Sequence, residues 1–209
     1  MGFFSRLFGK KKDKQEANQQ NKPDKLKIAI VIGSVRDGRN AKAVADWTLD
    51  IATSRNDNAD YELVDLADYR LPMLGESLTE EKQAAGERAV GAWSDKMSTF
   101  DAYIFVVPEY NHTVGGALKN ALDFVNKEVN NKVAGFVGYG SLGGTRAHEN
   151  MRLILGELQV ADVRTAVTFS LMTDFENMSE FEPADYHKNN ANEMLDQVHS
   201  WGKAFKTLR

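Results

Sequence analysis

The 209-residue chain contains no cysteine, only four prolines and no apolar run near the roughly 20 residues that cross a bilayer. The lack of cysteine excludes disulfides, thiolate nucleophiles, CxxC redox motifs and cysteine metal sites. Any redox chemistry would therefore have to come from a bound cofactor. With 42% apolar and 10% aromatic residues, the composition is that of a soluble globular protein.

The formal net charge of −4 is unevenly distributed along the chain. Residues 1–25 carry seven basic and three acidic side chains, whereas residues 26–209 carry 19 basic and 27 acidic ones. An acidic body argues against broad contact with a phosphate backbone, because nucleic-acid-binding proteins usually present a basic face. We therefore expect no nucleic-acid partner.

The N-terminal 25 residues are basic, whereas the rest of the sequence is acidic. Residues 1–25 are expected to form a basic amphipathic tail and linker, followed by one domain over residues 26–209. Four apolar side chains of the tail would share one face of a helix: Phe3, Phe4, Leu7 and Phe8. Together with the lysines that follow, this apolar face predicts that residues 2–14 contact an anionic membrane weakly, at its cytoplasmic face. A disordered tail is the alternative. Because no signal peptide is present, the expected location is cytoplasmic.

From Leu26 onward, short apolar runs rich in β-branched residues alternate with helical patterns. Five runs are predicted as strands: KIAIVIG, DYELVDL, AYIFVV, KVAGFVGYG and VRTAVTF. Five helices are predicted at about 40–54, 79–100, 115–126, 145–158 and 186–206. Continuous apolar strands joined by helical crossovers indicate an α/β, doubly wound fold with a five-stranded parallel sheet and helices on both faces.

Ligands in such sheets bind beyond the carboxyl ends of strands, near the point where strand order reverses. The segment 33–41 follows the first strand and combines a turn glycine, two arginines and a helix start, which suits a phosphate. After the third strand, Pro108 is expected to end the strand and free the next backbone groups for a ligand. The alternative is an ordinary loop in which Thr113 caps the following helix and Gly115-Gly116 packs close to the sheet.

A third candidate segment, 138–147, follows the fourth strand. Its closely spaced glycines allow close backbone approach to a ligand, and Tyr139 offers a stacking ring. Each of the three segments alone is also compatible with an ordinary turn. A binding site is favoured because a doubly wound fold brings the three strand ends together.

Other chemistries find little support in the sequence. The four histidines are scattered and show no metal-ligand spacing, so we expect no metal site. The segment around Ser141 lacks the G-x-S-x-G pattern of a hydrolase elbow, because position 139 is a tyrosine. The G-x-G-x-x-G series of dinucleotide-binding folds is also missing from segment 33–41.

Three motifs together resemble the NAD(P)H-dependent FMN reductases, a flavodoxin-like family that includes quinone, azo-dye and chromate-type reductases. The motifs are Gly33-Ser34-x-Arg36, then Pro108-Glu109-Tyr110-Asn111 with the downstream Gly115-Gly116 and Lys119-Asn120-Ala121-x-Asp123, and finally Ser141-x-Gly143-Gly144. The resemblance covers roughly residues 27–171. The chain departs from the family in having Arg39 or Asn40 where a second serine often occurs, and in its N-terminal 25 residues.

The resemblance implies that FMN is the cofactor, with NADPH or NADH as co-substrate and a quinone-like, azo or other small molecule as electron acceptor. The FMN phosphate would be held by five residues: Ser34, Arg36, Arg39, Asn40 and Ala41. The isoalloxazine ring would be flanked by seven more: Pro108, Glu109, Tyr110, Asn111, Ser141, Gly143 and Gly144. The resemblance also implies a homodimer or homotetramer, and it designates no catalytic side chain.

One alternative function stays open at this point. A flavodoxin-like electron carrier or another non-enzymatic FMN-binding module would use the same fold and cofactor. A carrier of that type is expected to have a phosphate loop rich in Thr and Ser, whereas this chain has arginines in that loop.

Overall fold

The alternation of apolar strands and helices seen in the sequence organises the whole domain. A computed structural model describes residues 25–209. The strands are β1 Leu26–Ile32, β2 Ala59–Asp65, β3 Ala102–Tyr110, β4 Thr113–Val114, β5 Lys132–Gly140, β6 Val160–Ser170, β7 Phe175–Glu176 and β8 Glu180–Phe181. The helices are α1 Ala41–Ser54, α2 Glu80–Ser98, α3 Gly116–Asp123, α4 Thr145–Glu157 and α5 His187–Lys206, with a short 3-10 turn at Leu66–Asp68. The expected tail, apart from Lys25, lies outside the described residues.

Five parallel strands form the central sheet, in the order β2-β1-β3-β5-β6. This order confirms the expected doubly wound, flavodoxin-like α/β fold. Because neighbouring strands are parallel, β1, β3 and β5 all end at the same edge of the sheet. None of the helices in residues 25–209 is long and apolar enough to cross a membrane.

Successive side chains of each central strand enter opposite hydrophobic cores, as the two-residue period of a strand requires. In β1, Ile28 and Ile30 belong to the core shared with α1 and α5, whereas Ala29 and Val31 belong to the core shared with α2, α3 and α4. All four side chains are fully buried. Burial on both faces explains why the strands are continuously apolar in sequence.

Two expectations about the end of β3 are wrong. Pro108 does not end the strand; it lies within β3, opposite Tyr139 of β5. Thr113 is not a helix cap, because it pairs antiparallel with Tyr110 in β4, and Gly115 precedes α3 instead. A proline removes only one backbone donor, and the hairpin that follows supplies new partners for the strand.

Two residues form the turn of the hairpin between β3 and β4. Asn111 and His112 connect β3 to β4 with φ angles of 48° and 73°. Two successive residues with positive φ are typical of the turns that join two-residue hairpins. The segment Pro108–Asn111 is therefore a rigid projection at the carboxyl edge of the sheet, not an open loop.

A second hairpin, formed by β7 and β8, follows β6 and folds back over the domain. Phe175 and Phe181 contact each other at a centroid distance of 5.0 Å, and Phe181 also contacts Phe169 at 4.8 Å. Asp174 and His187, both 2% exposed, are joined by a hydrogen bond of 2.8 Å. These contacts fix the hairpin to the start of α5.

Candidate functional site

The segment between β1 and α1 presents its backbone to the carboxyl edge of the sheet. Gly33 donates its amide to the Val106 carbonyl at 3.0 Å, and an added Cβ there would lie 2.7 Å from Leu118 Cδ2. Within residues 25–209, the next three amides, Ser34 to Arg36, donate no hydrogen bond. Consecutive unpaired amides ahead of a helix N-terminus suit an anionic group.

The two arginines of this segment have different surroundings. Arg36 is exposed and has no ion pair within the described part of the chain. Arg39 forms an ion pair with Asp65, the last residue of β2, and its Nε is buried without a partner there. Arg36 is therefore the freer charged donor for a ligand, whereas Arg39 also fixes the loop to β2.

The start of α1 is tied to the second hairpin. Asn40 is 8% exposed and donates its Nδ2 to the Met178 carbonyl at 2.9 Å. Ala41 is the first residue of α1 and is fully buried. The Asn40 side-chain amide is thus hydrogen-bonded within the protein, and this bond supports the conformation of the loop.

Hydroxyl groups from three strand ends meet beside this loop. Ser34 is 2% exposed, and its Oγ lies 3.4 Å from the Tyr110 hydroxyl. Tyr139 is buried, and burial followed by the nearby Tyr110 raises the pKa of its hydroxyl, while the Ser34 side chain acts in the opposite direction. Tyr139 packs against Phe175, so it does not offer a stacking face to the site. The ends of β1, β3 and β5 are brought together as expected.

The Glu109 side chain points away from the Ser34 contact and holds the hairpin to α4. Its carboxylate is only 3% exposed, accepts a hydrogen bond of 3.1 Å from the Arg146 amide, and pairs with the Arg146 guanidinium. Arg146 also contacts His112 in the hairpin turn. A carboxylate at the first turn of a helix is favoured by the unpaired amides there. Glu109 therefore positions the backbone of Pro108–Asn111.

The glycine-rich turn after β5 lies directly against the hairpin. Gly143 and Gly144 have φ angles of 74° and 79°, and an added Cβ at Gly144 would lie 2.8 Å from the Tyr139 amide nitrogen. Ser141 is exposed, and its carbonyl accepts a hydrogen bond of 3.3 Å from Ser170. The turn thus leaves the Ser141 side chain accessible and keeps the backbone of α4 close to the sheet.

One buried histidine beneath the turn was not singled out by the sequence. His148 is 3% exposed, and its Nε2 has no partner among the described residues. Its ring stacks on Phe136 at a centroid distance of 5.3 Å. Burial lowers the pKa of His148 to about 4, with the positive charge of Arg152 acting in the same direction. The ring is therefore neutral at physiological pH.

Three contacts that shape the site were missed by the sequence analysis: Arg39 with Asp65, Asn40 with Met178, and Glu109 with Arg146. Only the first had a signal, since an acid at the end of β2 lies next to an arginine-rich turn after β1. The partners of Asn40 and Glu109 come from distant elements, and no local pattern identifies them.

The geometry suits a flat ligand with an anionic end. The amides of Ser34 to Arg36 and the Arg36 guanidinium would receive the anion. The hairpin backbone at Pro108–Asn111 and the turn at Ser141–Gly144 follow neighbouring parallel strands and so lie side by side at this edge of the sheet. Among residues 25–209, no group of three or more histidine, aspartate or glutamate side chains could hold a metal ion.

Comparison with known proteins adds independent findings. The family model described as NADPH-dependent FMN reductase matches residues 26–174. The NAD(P)H-dependent FMN reductase ntnL of Nectria sp is 34% identical over 158 residues, which are 71% of this chain and 78% of that protein. The quinone reductase of Escherichia coli (strain K12) is 30% identical over 139 residues, 63% of this chain and 70% of that protein.

Solved structures share the same architecture. FerB, a flavoenzyme NAD(P)H:(acceptor) oxidoreductase from Paracoccus denitrificans, has a TM-score of 0.61 and 18% sequence identity, over 84% of this chain and 98% of that one. At this identity the structural match supports the fold.

Proposed function

The chain belongs to the NADPH-dependent FMN reductase family, and on this premise we propose that it binds FMN at the carboxyl edge of its sheet and reduces quinone-type small molecules with NAD(P)H. It is an oxidoreductase. In the overall reaction, NAD(P)H, a quinone and one proton give NAD(P)⁺ and a hydroquinone. The observation that carries the FMN assignment is the meeting of three strand ends, marked by the 3.4 Å contact between Ser34 and Tyr110.

FMN, when bound, supplies the centre that accepts two electrons from the nicotinamide and passes them to the acceptor. The FMN phosphate would be held by the amides of Ser34 to Arg36, by the Arg36 guanidinium and by the N-terminus of α1 at Ala41. The amides of Ser34 to Arg36 and the Arg36 guanidinium fit a phosphate because they are unpaired or charged and lie in one turn, whereas the Ala41 amide faces the Tyr139 hydroxyl. Arg39 and Asn40 would support this turn through Asp65 and Met178.

The isoalloxazine would lie along two further segments of the edge. Pro108–Asn111 would present its backbone to the ring, because Glu109 holds that hairpin against α4 through Arg146. Ser141, Gly143 and Gly144 would approach from the next strand end, where the two glycines let the turn pack closely against Thr168 and Tyr139 and so fix its backbone. The protein's part in the reaction is thus to bind and orient, and no side chain is needed as an acid or base.

Flavin analysis and steady-state kinetics test this proposal together. Purified protein should release FMN on denaturation, identified by chromatography, and should oxidise NADPH or NADH faster when 1,4-naphthoquinone is present. A flavodoxin-like carrier or FMN-binding module would bind FMN without oxidising the nicotinamide. Absence of FMN binding would refute the cofactor assignment, and FMN binding without turnover would favour the carrier.

We also propose that the protein self-associates and that residues 2–14 contact anionic membranes at the cytoplasmic face. The first proposal, a homodimer or homotetramer, is supported by the resemblance to the reductase family alone. The second proposal is supported by the apolar and basic pattern of the sequence alone.

A further inference from the structure

The C-terminal end of α5 lies at the amino edge of the sheet, where the parallel strands begin, opposite the proposed FMN site. Gly202 packs there against the start of β1, since an added Cβ would lie 3.2 Å from Leu26 Cδ1. Lys206 donates a hydrogen bond of 3.4 Å from its Nζ to the Lys25 carbonyl. Residues 1–24 therefore join the described part of the chain beside the end of α5.

Apolar side chains are exposed along this end of α5. Trp201 and Phe205 are four residues apart on one helix face, and Leu208 follows in the turn after the helix. Trp201 is 44% and Leu208 is 62% exposed, and the Trp201 ring stacks on Phe205 at a centroid distance of 6.5 Å. An exposed tryptophan on an apolar helix face is typical of contact with the interface between lipid and water.

Basic side chains surround these apolar residues. Five of them lie at the same end of the domain: Lys25, Lys27, Lys203, Lys206 and Arg209. Asp60 and Asp101, the carboxylates that contact members of this group, are each paired with it. Lys27 and Lys203 are exposed and form no ion pair with any residue between 25 and 209. This end is thus basic, although residues 26–209 as a whole carry 19 basic and 27 acidic side chains.

We propose that the end of α5 is a membrane-facing surface, which orients the domain on an anionic bilayer while residues 2–14 hold it there. The inference rests on the proposed membrane contact of residues 2–14, whose sequence adds apolar and basic residues at the same end of the domain. The combination of basic charge with an exposed tryptophan suits anionic headgroups above an apolar layer. A second copy of the chain fits less well, because a symmetric contact would bring the same basic side chains together.

This orientation turns the proposed FMN site away from the bilayer. The strand β1 runs from the membrane-facing end to the proposed phosphate loop, and its seven residues span about 20 Å at roughly 3.3 Å each. A quinone held within the hydrocarbon layer would not reach a flavin at that distance. The acceptor of the proposed reaction is therefore a molecule dissolved in water.

Tryptophan fluorescence tests the orientation directly, because the chain has three tryptophans. Trp93 is fully buried and Trp47 packs against the core, so Trp201 is the exposed reporter. Phosphatidylglycerol vesicles with brominated acyl chains should quench Trp201, and the variant Trp201→Leu should lose this quenching. In the Trp201→Leu background, Met73→Trp places a reporter in the segment after β2, at the carboxyl edge, and this reporter should not be quenched.

Charge reversal provides a second measurement. Lys203→Glu should weaken binding to the same vesicles by about fivefold or more, because a basic side chain near an anionic surface contributes to binding. The matched control is Lys82→Glu, which makes the same charge change at the start of α2, near the carboxyl edge. It should bind as the wild type does.

The choice of acceptor follows from the same orientation. The vesicle-bound protein should reduce 1,4-naphthoquinone dissolved in the buffer and should not reduce ubiquinone-10 embedded in the vesicles. If neither quinone is reduced, the proposed reductase function fails, and the fluorescence of Trp201 still decides the orientation.

A full chain that does not bind these vesicles would overturn both the membrane contact of residues 2–14 and this inference. Four results would overturn the orientation alone: bound protein without quenching of Trp201, quenching of the Met73→Trp reporter, equal weakening by Lys82→Glu, or reduction of embedded ubiquinone-10. A shift of Trp201 fluorescence that depends on protein concentration without lipid would overturn it in favour of a second copy.

Discussion

The hydroxyl oxygens of Ser34 and Tyr110 lie 3.4 Å apart, although 76 positions separate the two residues in the chain. Ser34 is buried at the end of β1, whereas Tyr110 is 37% exposed at the end of β3. The contact therefore anchors the tip of a partly exposed ring at a buried point. It links the proposed phosphate loop to the hairpin proposed to lie along the flavin.

Arg36→Ala is expected to weaken FMN binding by about 10- to 150-fold, because a hydrogen bond to a charged group is worth about 1.5–3 kcal/mol. Turnover should largely recover at saturating FMN, since the phosphate lies away from the reacting ring. Riboflavin, which lacks the phosphate, should bind much more weakly than FMN. Dissociation constants are measured by fluorescence titration.

The control for this variant is Arg88→Ala, since Arg88 is exposed on α2 and has no ion pair among residues 25–209. It should change neither FMN affinity nor turnover. Equal affinities of the wild type and Arg36→Ala for FMN would remove the first loop from the site.

Tyr110→Ala is expected to lower turnover even when FMN is saturating, because the ring lies beside the proposed flavin position. The Tyr110 ring packs against Gly115, where an added Cβ would lie 3.0 Å from Tyr110 Cδ2. Tyr110→Phe keeps this ring contact and loses only a hydroxyl at 3.4 Å, so it should retain most of the turnover. Full activity of Tyr110→Ala at saturating FMN would show that the ring plays no part.

Gly144→Ala is expected to destabilise the domain by about 1–3 kcal/mol, because residue 144 has a φ of 79° and the new Cβ would press on the Tyr139 amide. Gly156→Ala is the matched control on the same helix. Its Cβ would meet nothing within 4 Å, and alanine should stabilise the helix by about 0.5–1 kcal/mol. Urea denaturation measures both changes, and shifts of the same sign would contradict this account.

Stability is expected to fall as the pH decreases from 6.5 towards 4, because of His148. The folded-state pKa of about 4 lies below the ordinary value of 6.5, so the unfolded chain binds a proton in this window that the folded protein does not. The resulting loss of unfolding free energy between pH 7 and pH 5 is on the order of 2 kcal/mol.

His148→Phe isolates this contribution, since phenylalanine keeps a ring against Phe136 and cannot titrate. The difference in unfolding free energy between wild type and variant should therefore depend on pH between 4 and 6.5. A difference that is constant over this range would exclude a neutral buried histidine.

Deletion of residues 1–25 is expected to abolish binding to anionic vesicles and to leave quinone reduction nearly unchanged. Binding of the full chain should require anionic lipid and should weaken as salt screens the lysines. Sedimentation with anionic and neutral vesicles provides the measurement. Salt-independent binding, or none, would favour a disordered tail.

The central strands β1, β3 and β5 were predictable because they are buried on both faces and are therefore almost continuously apolar in sequence. The edge strands β2 and β6 are only partly buried, and their apolar residues are interrupted by polar ones. The two hairpins were not predicted. For β4 the signal was misleading, since Pro108 is typical of a strand end, and the positive φ values of Asn111 and His112 depend on the pairing of Tyr110 with Thr113. The strands β7 and β8 have two residues each, too short for any periodicity.

For the site, the sequence indicated which segments meet but not the orientation of their side chains. Glu109 shows the limit, since its position beside Tyr110 suggests contact with a ligand, yet it is buried against Arg146. The sequence likewise contained no sign that the side-chain amide of Asn40, which is expected at the phosphate, contacts the Met178 carbonyl. Such pairings depend on tertiary distances between elements that local patterns do not encode.

The partner of Asn40 lies beyond the residues that the family model matches. The family match ends at residue 174, whereas Met178 belongs to the turn of the following hairpin. A chimera that joins residues 26–174 to the C-terminal segment of another reductase would therefore lose a support of the proposed cofactor loop. A comparison limited to residues 26–174 would overlook this contact between the loop and the hairpin. Engineering of this enzyme should therefore exchange the loop and the hairpin together.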